Sequence, residues 1–226
     1  MAGGKITFYV DIVSPFGYMG YYFLRHSPIF KSVQVTYIPM LLGGLHKTCG
    51  NIAPIEVRNK DKWIERERLR WARQFHIPMS ESYPKGFPKP TIQLQRFLTS
   101  LWLDGNQEAG KQDAFVKAVD TLWETLWTKL DAGDVSDPAV FAQVLTPVLG
   151  EQVVKQHVDR LGSPEVKKQL LQNTDRSFKD GAFGLPWFQC ENSKGEVEGL
   201  WGFDHLGQVV RFMELDGGKG EVRALL

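Results

Sequence analysis

The chain has 226 residues, 42% of them hydrophobic, which is enough to bury the core of one large domain or of one domain with a sizeable insertion. Its 27 basic and 26 acidic residues leave a formal net charge of +1, which excludes the strongly basic surface expected for binding nucleic acid or an anionic membrane. The 2 cysteines, Cys49 and Cys190, form no Cys-x-x-Cys pair, so the sequence predicts neither a disulfide framework nor a metal site, and we expect a reducing compartment.

Targeting signals are not evident. No apolar run approaches the roughly 18 residues that a membrane span requires. The start, "MAGGKITFYVD", reaches an acid too soon for a secretory signal, and the final "EVRALL" is unlike a Ser-Lys-Leu peroxisomal address. We therefore expect an intracellular protein without a membrane or nucleic-acid partner, with cytoplasm, mitochondrion and peroxisome left open.

The first 41 residues predict a strand, a helix and a second strand. "KITFYVD" (5–11) is β-branched and aromatic, which favours a strand. Ser14 followed by Pro15 predicts a helix start, and the helix should end near His26. "VQVTYIPML" (33–41) alternates and predicts a second strand. This order is a βαβ unit with parallel strands.

The middle of the chain is predicted to be helical. After a glycine-punctuated loop at 43–54, nearly every segment from Lys60 to Gly181 has helical spacing, apart from a proline-rich loop at 77–90. Cap-then-proline helix starts are predicted at Asp137 and Ser163, and helix stops at Gly105, Gly150 and Gly181.

The last part of the chain predicts a hairpin and a helix. "LPWFQCEN" (185–192) and "VEGLWGF" (197–203) have strand character, and "DHLGQVVRFMEL" (204–215) predicts a helix with Asp204 at its start. A βαβ unit followed by ββα is the order of a thioredoxin-like α/β sheet. We therefore expect a thioredoxin-like domain at 1–58 and 180–226, interrupted by an all-helical domain at 59–179, with the ligand site in the cleft between them.

Several positions can support chemistry, and each has a plainer alternative. Ser14 could cap its helix or donate its hydroxyl to a ligand, and spacing alone favours capping. A cis bond between Leu185 and Pro186 would free backbone groups for a peptide-like ligand, although base rates favour trans. Asn51 and Lys60 could grip a carboxylate or simply lie in a solvated loop and helix start.

Four segments carry a resemblance to a known family. "SPFGYMG" follows the first strand, "LLGGLHKTCGN" follows the second, "GAFGLP" precedes the third, and "WGFD" precedes the last helix. In this order they resemble the kappa-class glutathione transferases and their bacterial relatives, the 2-hydroxychromene-2-carboxylate isomerases, from about Ile6 to Leu215. The resemblance implies a thioredoxin-like fold with a helical insertion, a homodimer, and glutathione as cofactor or substrate.

The resemblance also implies site residues. Ser14 matches the serine that hydrogen-bonds the glutathione sulfur, and Asn51 matches an asparagine close to that sulfur. Lys60 matches the lysine that contacts the glycyl carboxylate. Leu185, before Pro186, matches the residue whose backbone pairs with the cysteinyl moiety.

The γ-glutamyl end of the implied site departs from the family pattern. Asp204 matches the family's acid there, but Phe203 replaces a polar residue, so only its backbone N–H could contact the ligand, and His205 replaces an arginine. Glu67 is the nearest match to an acid that reaches across from the partner subunit.

The expected function is that of a glutathione transferase, in which Ser14 stabilises the thiolate that attacks a small electrophile. Two alternatives stay open: a glutathione-dependent cis-trans isomerase of an aromatic or polyketide-derived acid, and a non-catalytic thioredoxin-like binding protein. A dithiol oxidoreductase is disfavoured because no cysteine stands at the start of the first helix.

Overall fold

A four-stranded mixed sheet forms the centre of the computed structural model, which describes residues 3–105 and 107–215. The strands are β1 (Gly3–Val10), β2 (Val33–Pro39), β3 (Trp187–Glu191) and β4 (Val197–Trp201), in the order β2-β1-β3-β4. β1 pairs in parallel with β2 and antiparallel with β3, and β3 forms a hairpin with β4. The predicted βαβ unit and hairpin are therefore confirmed.

Helices surround the sheet. They are α1 (Pro15–His26), α2 (Leu42–Cys49), α3 (Lys60–Gln74), α4 (Ile92–Asp104), α5 (Asp113–Thr128), α6 (Pro138–Leu149), α7 (Glu151–Asp159), α8 (Pro164–Lys179) and α9 (Leu206–Phe212). The run from α3 to α8 is inserted between β2 and β3, which confirms the predicted α/β fold with a helical insertion. In the part of the chain that the structure describes, no helix is both long and apolar enough to cross a bilayer.

The predicted helix caps are present. The side chains of Ser14, Asp137 and Ser163 accept hydrogen bonds from backbone N–H groups in the first turns of α1, α6 and α8, at 3.0, 2.8 and 3.3 Å. Each cap precedes a proline, whose missing N–H costs nothing at the first helical position. The predicted stops Gly105, Gly150 and Gly181 follow the ends of α4, α6 and α8.

The loop predicted at 43–54 is wrong in its first half, where α2 forms. Gly43 and Gly44 lower the helix propensity of this segment, and the sequence pattern therefore does not predict the helix. A tertiary contact stabilises its start: the carboxylate of Asp11 accepts the Leu42 N–H at 2.8 Å, and a negative charge is favourable at a helix N-terminus. Gly50, with φ 70°, ends the helix in the left-handed conformation that glycine favours.

The helix predicted to start at Asp204 is also wrong at its N-terminus. A 3₁₀ turn spans Phe203–His205, and α9 begins only at Leu206 with His205 as its N-cap residue. The Phe203 ring is buried in the core at the start of this turn. The C-terminal residues 216–226 of the predicted thioredoxin-like domain lie outside the described residues.

α1 lies very close to the sheet because Gly20 has no side chain. A Cβ at this position would lie 3.1 Å from the Phe188 ring and from Pro186 Cβ, and 3.3 Å from the Phe8 ring. Both rings are fully buried and have no room to move. The close approach places the first turn of α1 beside the start of β3.

We expect Gly20→Ala to lower the free energy of unfolding by about 1–2 kcal/mol, because overpacking outweighs the gain in helix propensity. Gly43→Ala is the matched control. It lies on an exposed face of α2 with no described atom within 4 Å of the new Cβ, and should stabilise the fold by about 0.5–1 kcal/mol. Denaturant unfolding measures both, and equal effects of the two substitutions would contradict the tight packing of α1.

Candidate functional site

Ser14 caps α1 and still has a hydrogen to donate. It lies in the loop after β1, where its Oγ accepts the Gly17 N–H at 3.0 Å and its carbonyl accepts the Tyr18 N–H at 2.9 Å. Among the described residues, no acceptor is present for the hydroxyl hydrogen of Ser14. Capping and donation to a ligand are therefore compatible, because capping uses the oxygen only as an acceptor.

The segment before β3 presents free backbone groups. The bond between Leu185 and Pro186 is cis, contrary to the base-rate expectation, and the Pro186 carbonyl accepts the Gly202 N–H at 3.0 Å. Within residues 3–105 and 107–215, neither the N–H nor the C=O of Leu185 makes a hydrogen bond. The Leu185 Cβ is also 3.8 Å from where a Cβ on Gly17 would lie. The structure thus brings Leu185 to the first turn of α1, near Ser14.

Asn51 is tied to the same segment. It follows α2, and its side-chain amide donates to the Phe183 carbonyl at 2.9 Å, two residues before Leu185. Its side-chain oxygen accepts the Ile52 N–H at 2.9 Å. Asn51 therefore joins the segment between α2 and α3 to the segment before β3. The second hydrogen of its side-chain amide remains for a ligand.

The ring of Phe203 belongs to the core. It is 1% exposed and makes edge-to-face contacts with Phe23, Trp71 and Phe75 at centroid distances of 5.5–6.1 Å. The ring is therefore not accessible to a ligand, and contact through the Phe203 backbone N–H stays a prediction. The next residue, Asp204, is exposed, and its carboxylate lies 3.4 Å from the ring of His205.

Lys60 and Glu67 both lie on α3. Lys60 is exposed at the first position of the helix, whereas Glu67 is almost buried and pairs with Arg70 at 2.5 Å. In the described ranges, no hydrogen bond or ion pair joins either side chain to Ser14 or Leu185.

The sequence pattern does not single out Asp11, which is the most extensively hydrogen-bonded side chain near Ser14. Its carboxylate accepts hydrogen bonds from Val13, Leu42, Thr91 and Gln95. An acid placed directly after a buried strand and three residues before a helix cap is the signal that could have identified it.

A cavity of about 440 Å³ opens beside the loop that carries Ser14. Val13 lies on its β1–α1 side, and the inserted helices and the proline-rich loop form the opposite wall. Its lining is mixed. Apolar side chains such as Leu94 and Leu126 lie beside charged ones, which include Lys129 and the ion pair of Lys89 with Asp134. A cavity of this size suits a small molecule.

One comparison decides the family. The sequence matches the family described as DSBA-like thioredoxin domain over residues 5–214. The chain belongs to this family. In this member of the DSBA-like thioredoxin family, Ser14 and Gly17 stand at the start of α1 and the 2 cysteines lie elsewhere, so dithiol chemistry at that helix is excluded.

Individual relatives are similar over most of their length. The chain is 27% identical to glutathione S-transferase kappa 2 of Caenorhabditis elegans, covering 92% of this chain and 91% of the relative. It is 26% identical to glutathione S-transferase kappa 1 of Rattus norvegicus, covering 89% and 87%. The solved structure of a 2-hydroxychromene-2-carboxylate isomerase has the same fold, with TM-score 0.69 and 19% identity over 93% of this chain and 94% of that one.

The cysteines of this DSBA-like chain differ in environment. Cys190 is fully buried in β3, where burial, with a smaller effect of Glu198, raises the pKa of its thiol to about 12. Cys49 is half-buried at the end of α2, with its Sγ 4.0 Å from the Phe183 carbonyl. Across the described ranges, no cluster of three or more His, Cys, Asp or Glu side chains is suited to a metal ion.

We therefore expect an aromatic disulfide reagent to label one thiol in the folded protein and two after denaturation, because a buried thiol that stays protonated does not react. Cys49→Ala should abolish the native labelling, and Cys190→Ala should leave it unchanged. Rapid native labelling of Cys49→Ala would contradict the burial of Cys190.

Proposed function

We propose that this protein is a kappa-type glutathione transferase, which activates the glutathione thiol for attack on a small electrophile. The observation that carries the proposal is the Ser14 hydroxyl, whose free hydrogen lies at the N-terminus of α1 near the unpaired backbone of Leu185. The similarity to glutathione S-transferases kappa supports this function.

Four residues near the first turn of α1 fit the thiol-bearing part of glutathione. Ser14 would donate to the sulfur, and the backbone of Leu185, presented by the cis bond to Pro186, would pair with the cysteinyl moiety. Asn51 would lie close to both through its free amide hydrogen.

The charged ends of glutathione would be held by residues further from Ser14. Lys60 would contact the glycyl carboxylate, and Asp204 would bind the γ-glutamyl amine with help from the Phe203 N–H. Glu67 would bind the γ-glutamyl end of the glutathione held by the partner subunit, after its ion pair with Arg70 breaks.

Ser14 and α1 would stabilise the charge of a bound thiolate. Bound glutathione supplies the nucleophilic sulfur. A free thiol has a pKa of about 8.5, and a hydroxyl donor combined with the positive end of a helix favours the anion. The cavity beside Val13 offers the electrophile a position next to this loop.

The alternative function is a glutathione-dependent cis-trans isomerase of an aromatic or polyketide-derived substrate. The structural similarity to a 2-hydroxychromene-2-carboxylate isomerase supports this alternative. Product mass separates the two enzymes, because a transferred product gains the mass of glutathione and an isomer gains none. A protein that binds glutathione without turnover would be a thioredoxin-like binding protein.

The proposal includes a homodimer and a division of the chain into two domains. The thioredoxin-like domain would comprise 1–58 and 180–226, and the helical domain 59–179.

Three exposed apolar side chains lie between α2 and the first turn of α3, close in sequence to Asn51 and Lys60: Ile52, Val57 and Trp63. If these side chains form one patch, a partner subunit would cover it, because contiguous exposed apolar patches mark interaction surfaces.

We expect Ser14→Ala to raise the pKa of the bound glutathione thiol by about one to two units, because a hydrogen bond to the charged sulfur is lost. Thiolate absorbance against pH measures this value. Ser163→Ala is the matched control, since it removes the same Ser-Pro cap from α8. Both substitutions should lower the free energy of unfolding by about 1 kcal/mol, but only Ser14→Ala should change the pKa of the glutathione thiol. Equal thiol pKa values in all three proteins would refute the role of Ser14.

We expect Trp63→Glu to convert a dimer into a monomer, because an exposed indole would be replaced by a charge in the interface. Leu171→Glu on α8 is the control, since Leu171 is similarly exposed but lies on a different helix. Sedimentation velocity measures both. A dimer that survives Trp63→Glu would rule out this surface as the interface.

A further inference from the structure

Asp11 is a buried carboxylate that the proposed chemistry does not use. It directly follows β1 and is 0% exposed. Within the described ranges, no lysine, arginine or histidine forms an ion pair with it. Burying an uncompensated charge is costly, so its hydrogen bonds must replace the lost hydration.

Four donors surround this carboxylate. The backbone N–H groups of Val13 and Leu42 donate at 3.2 and 2.8 Å. The Thr91 hydroxyl lies 2.9 and 3.1 Å from the two oxygens, and the side-chain amide of Gln95 lies at 3.1 Å. Burial raises the pKa of Asp11, and these donors oppose the rise.

The donors come from three parts of the fold. Val13 belongs to the loop before α1, Leu42 is the first residue of α2, and Thr91 and Gln95 belong to the start of α4 in the helical insertion. The Asp11 side chain thus joins the loop after β1, the helix after β2 and the inserted helices. Thr91 is the N-cap residue of α4, yet its hydroxyl serves Asp11 and makes no cap bond.

This arrangement fixes the backbone around Ser14. The Asp11 carboxylate holds the Val13 N–H, and the Asp11 carbonyl accepts the Ser14 N–H at 3.3 Å. The same carboxylate holds the first turn of α2, and Asn51 follows the end of that helix. The relative position of Ser14 and Asn51 therefore depends on a shared acceptor.

We propose that Asp11 is a positioning residue for the thiol site: its carboxylate orients the Ser14 hydroxyl and couples the loop before α1 to α2 and to the helical insertion. This inference rests on the proposed function for its effect on glutathione. The coupling itself exists without ligand. Asp11 would touch neither glutathione nor the electrophile.

Thr91→Val tests the proposal while keeping the charge. It removes one donor and changes little in volume, so the carboxylate should shift toward its remaining partners. We expect the pKa of the bound glutathione thiol to rise and kcat at neutral pH to fall about threefold, with KM for glutathione changed by less than about twofold.

Asp11→Asn removes the charge and presents an amide hydrogen where donors already point. We expect kcat to fall by about tenfold, again with the thiol pKa raised, because the Ser14 hydroxyl is misdirected. A lowered thiol pKa would show that Asp11 acts only through its charge and would overturn the positioning role. Asp137→Asn is the control, since asparagine also caps a helix and α6 carries no part of the proposed site.

Amide hydrogen exchange decides the coupling without glutathione. In Thr91→Val, the Val13 and Leu42 amides should both exchange at least about threefold faster than in wild type, although neither amide is hydrogen-bonded to Thr91. Unchanged exchange at both amides in a folded Thr91→Val protein would overturn the inference. If the wild type binds no glutathione, the proposed function fails, and the exchange result still decides whether Asp11 couples the three segments.

Discussion

The pairing of β1 with β3 is the constraint on which the rest of the molecule depends. These strands come from opposite ends of the described chain, and the register sets Ile6 against Cys190 and Phe8 against Phe188. The helical insertion must therefore leave the sheet after β2 and return to it before β3. Ser14 lies in the loop after β1, and Leu185 lies two residues before the start of β3, so the same pairing brings them to one end of the sheet.

The hydrogen bonds of Asp11 lie where the inserted helices meet the end of β1. A carboxylate without a cation is an expensive group to bury, and Asp11 is stabilised by donors from the β1–α1 loop, α2 and α4. The cavity beside Val13 lies at the same junction. The inserted helices therefore contact the loop after β1 both through the hydrogen bonds of Asp11 and through the lining of this cavity.

Phe203 shows how a departure from a family pattern can have a structural cause. Its ring fills a cluster with Phe23, Trp71 and Phe75, which joins α1, α3 and the turn before α9. A polar residue there would leave a gap in an aromatic core. The side chain at this position therefore contributes packing in the core.

The sequence by itself determined the strands, the caps at Ser14, Asp137 and Ser163, and the helical insertion, because alternation, cap residues and helical spacing are local signals. It also indicated Ser14, Leu185 and Asn51 through motifs that resemble a family. Tertiary structure alone decided that Gly43 and Gly44 lie in a helix, because the stabilising carboxylate comes from Asp11 in a distant segment. It likewise decided the burial of Phe203 and the hydrogen bonds of Asp11, since each depends on contacts between residues that are far apart in the chain.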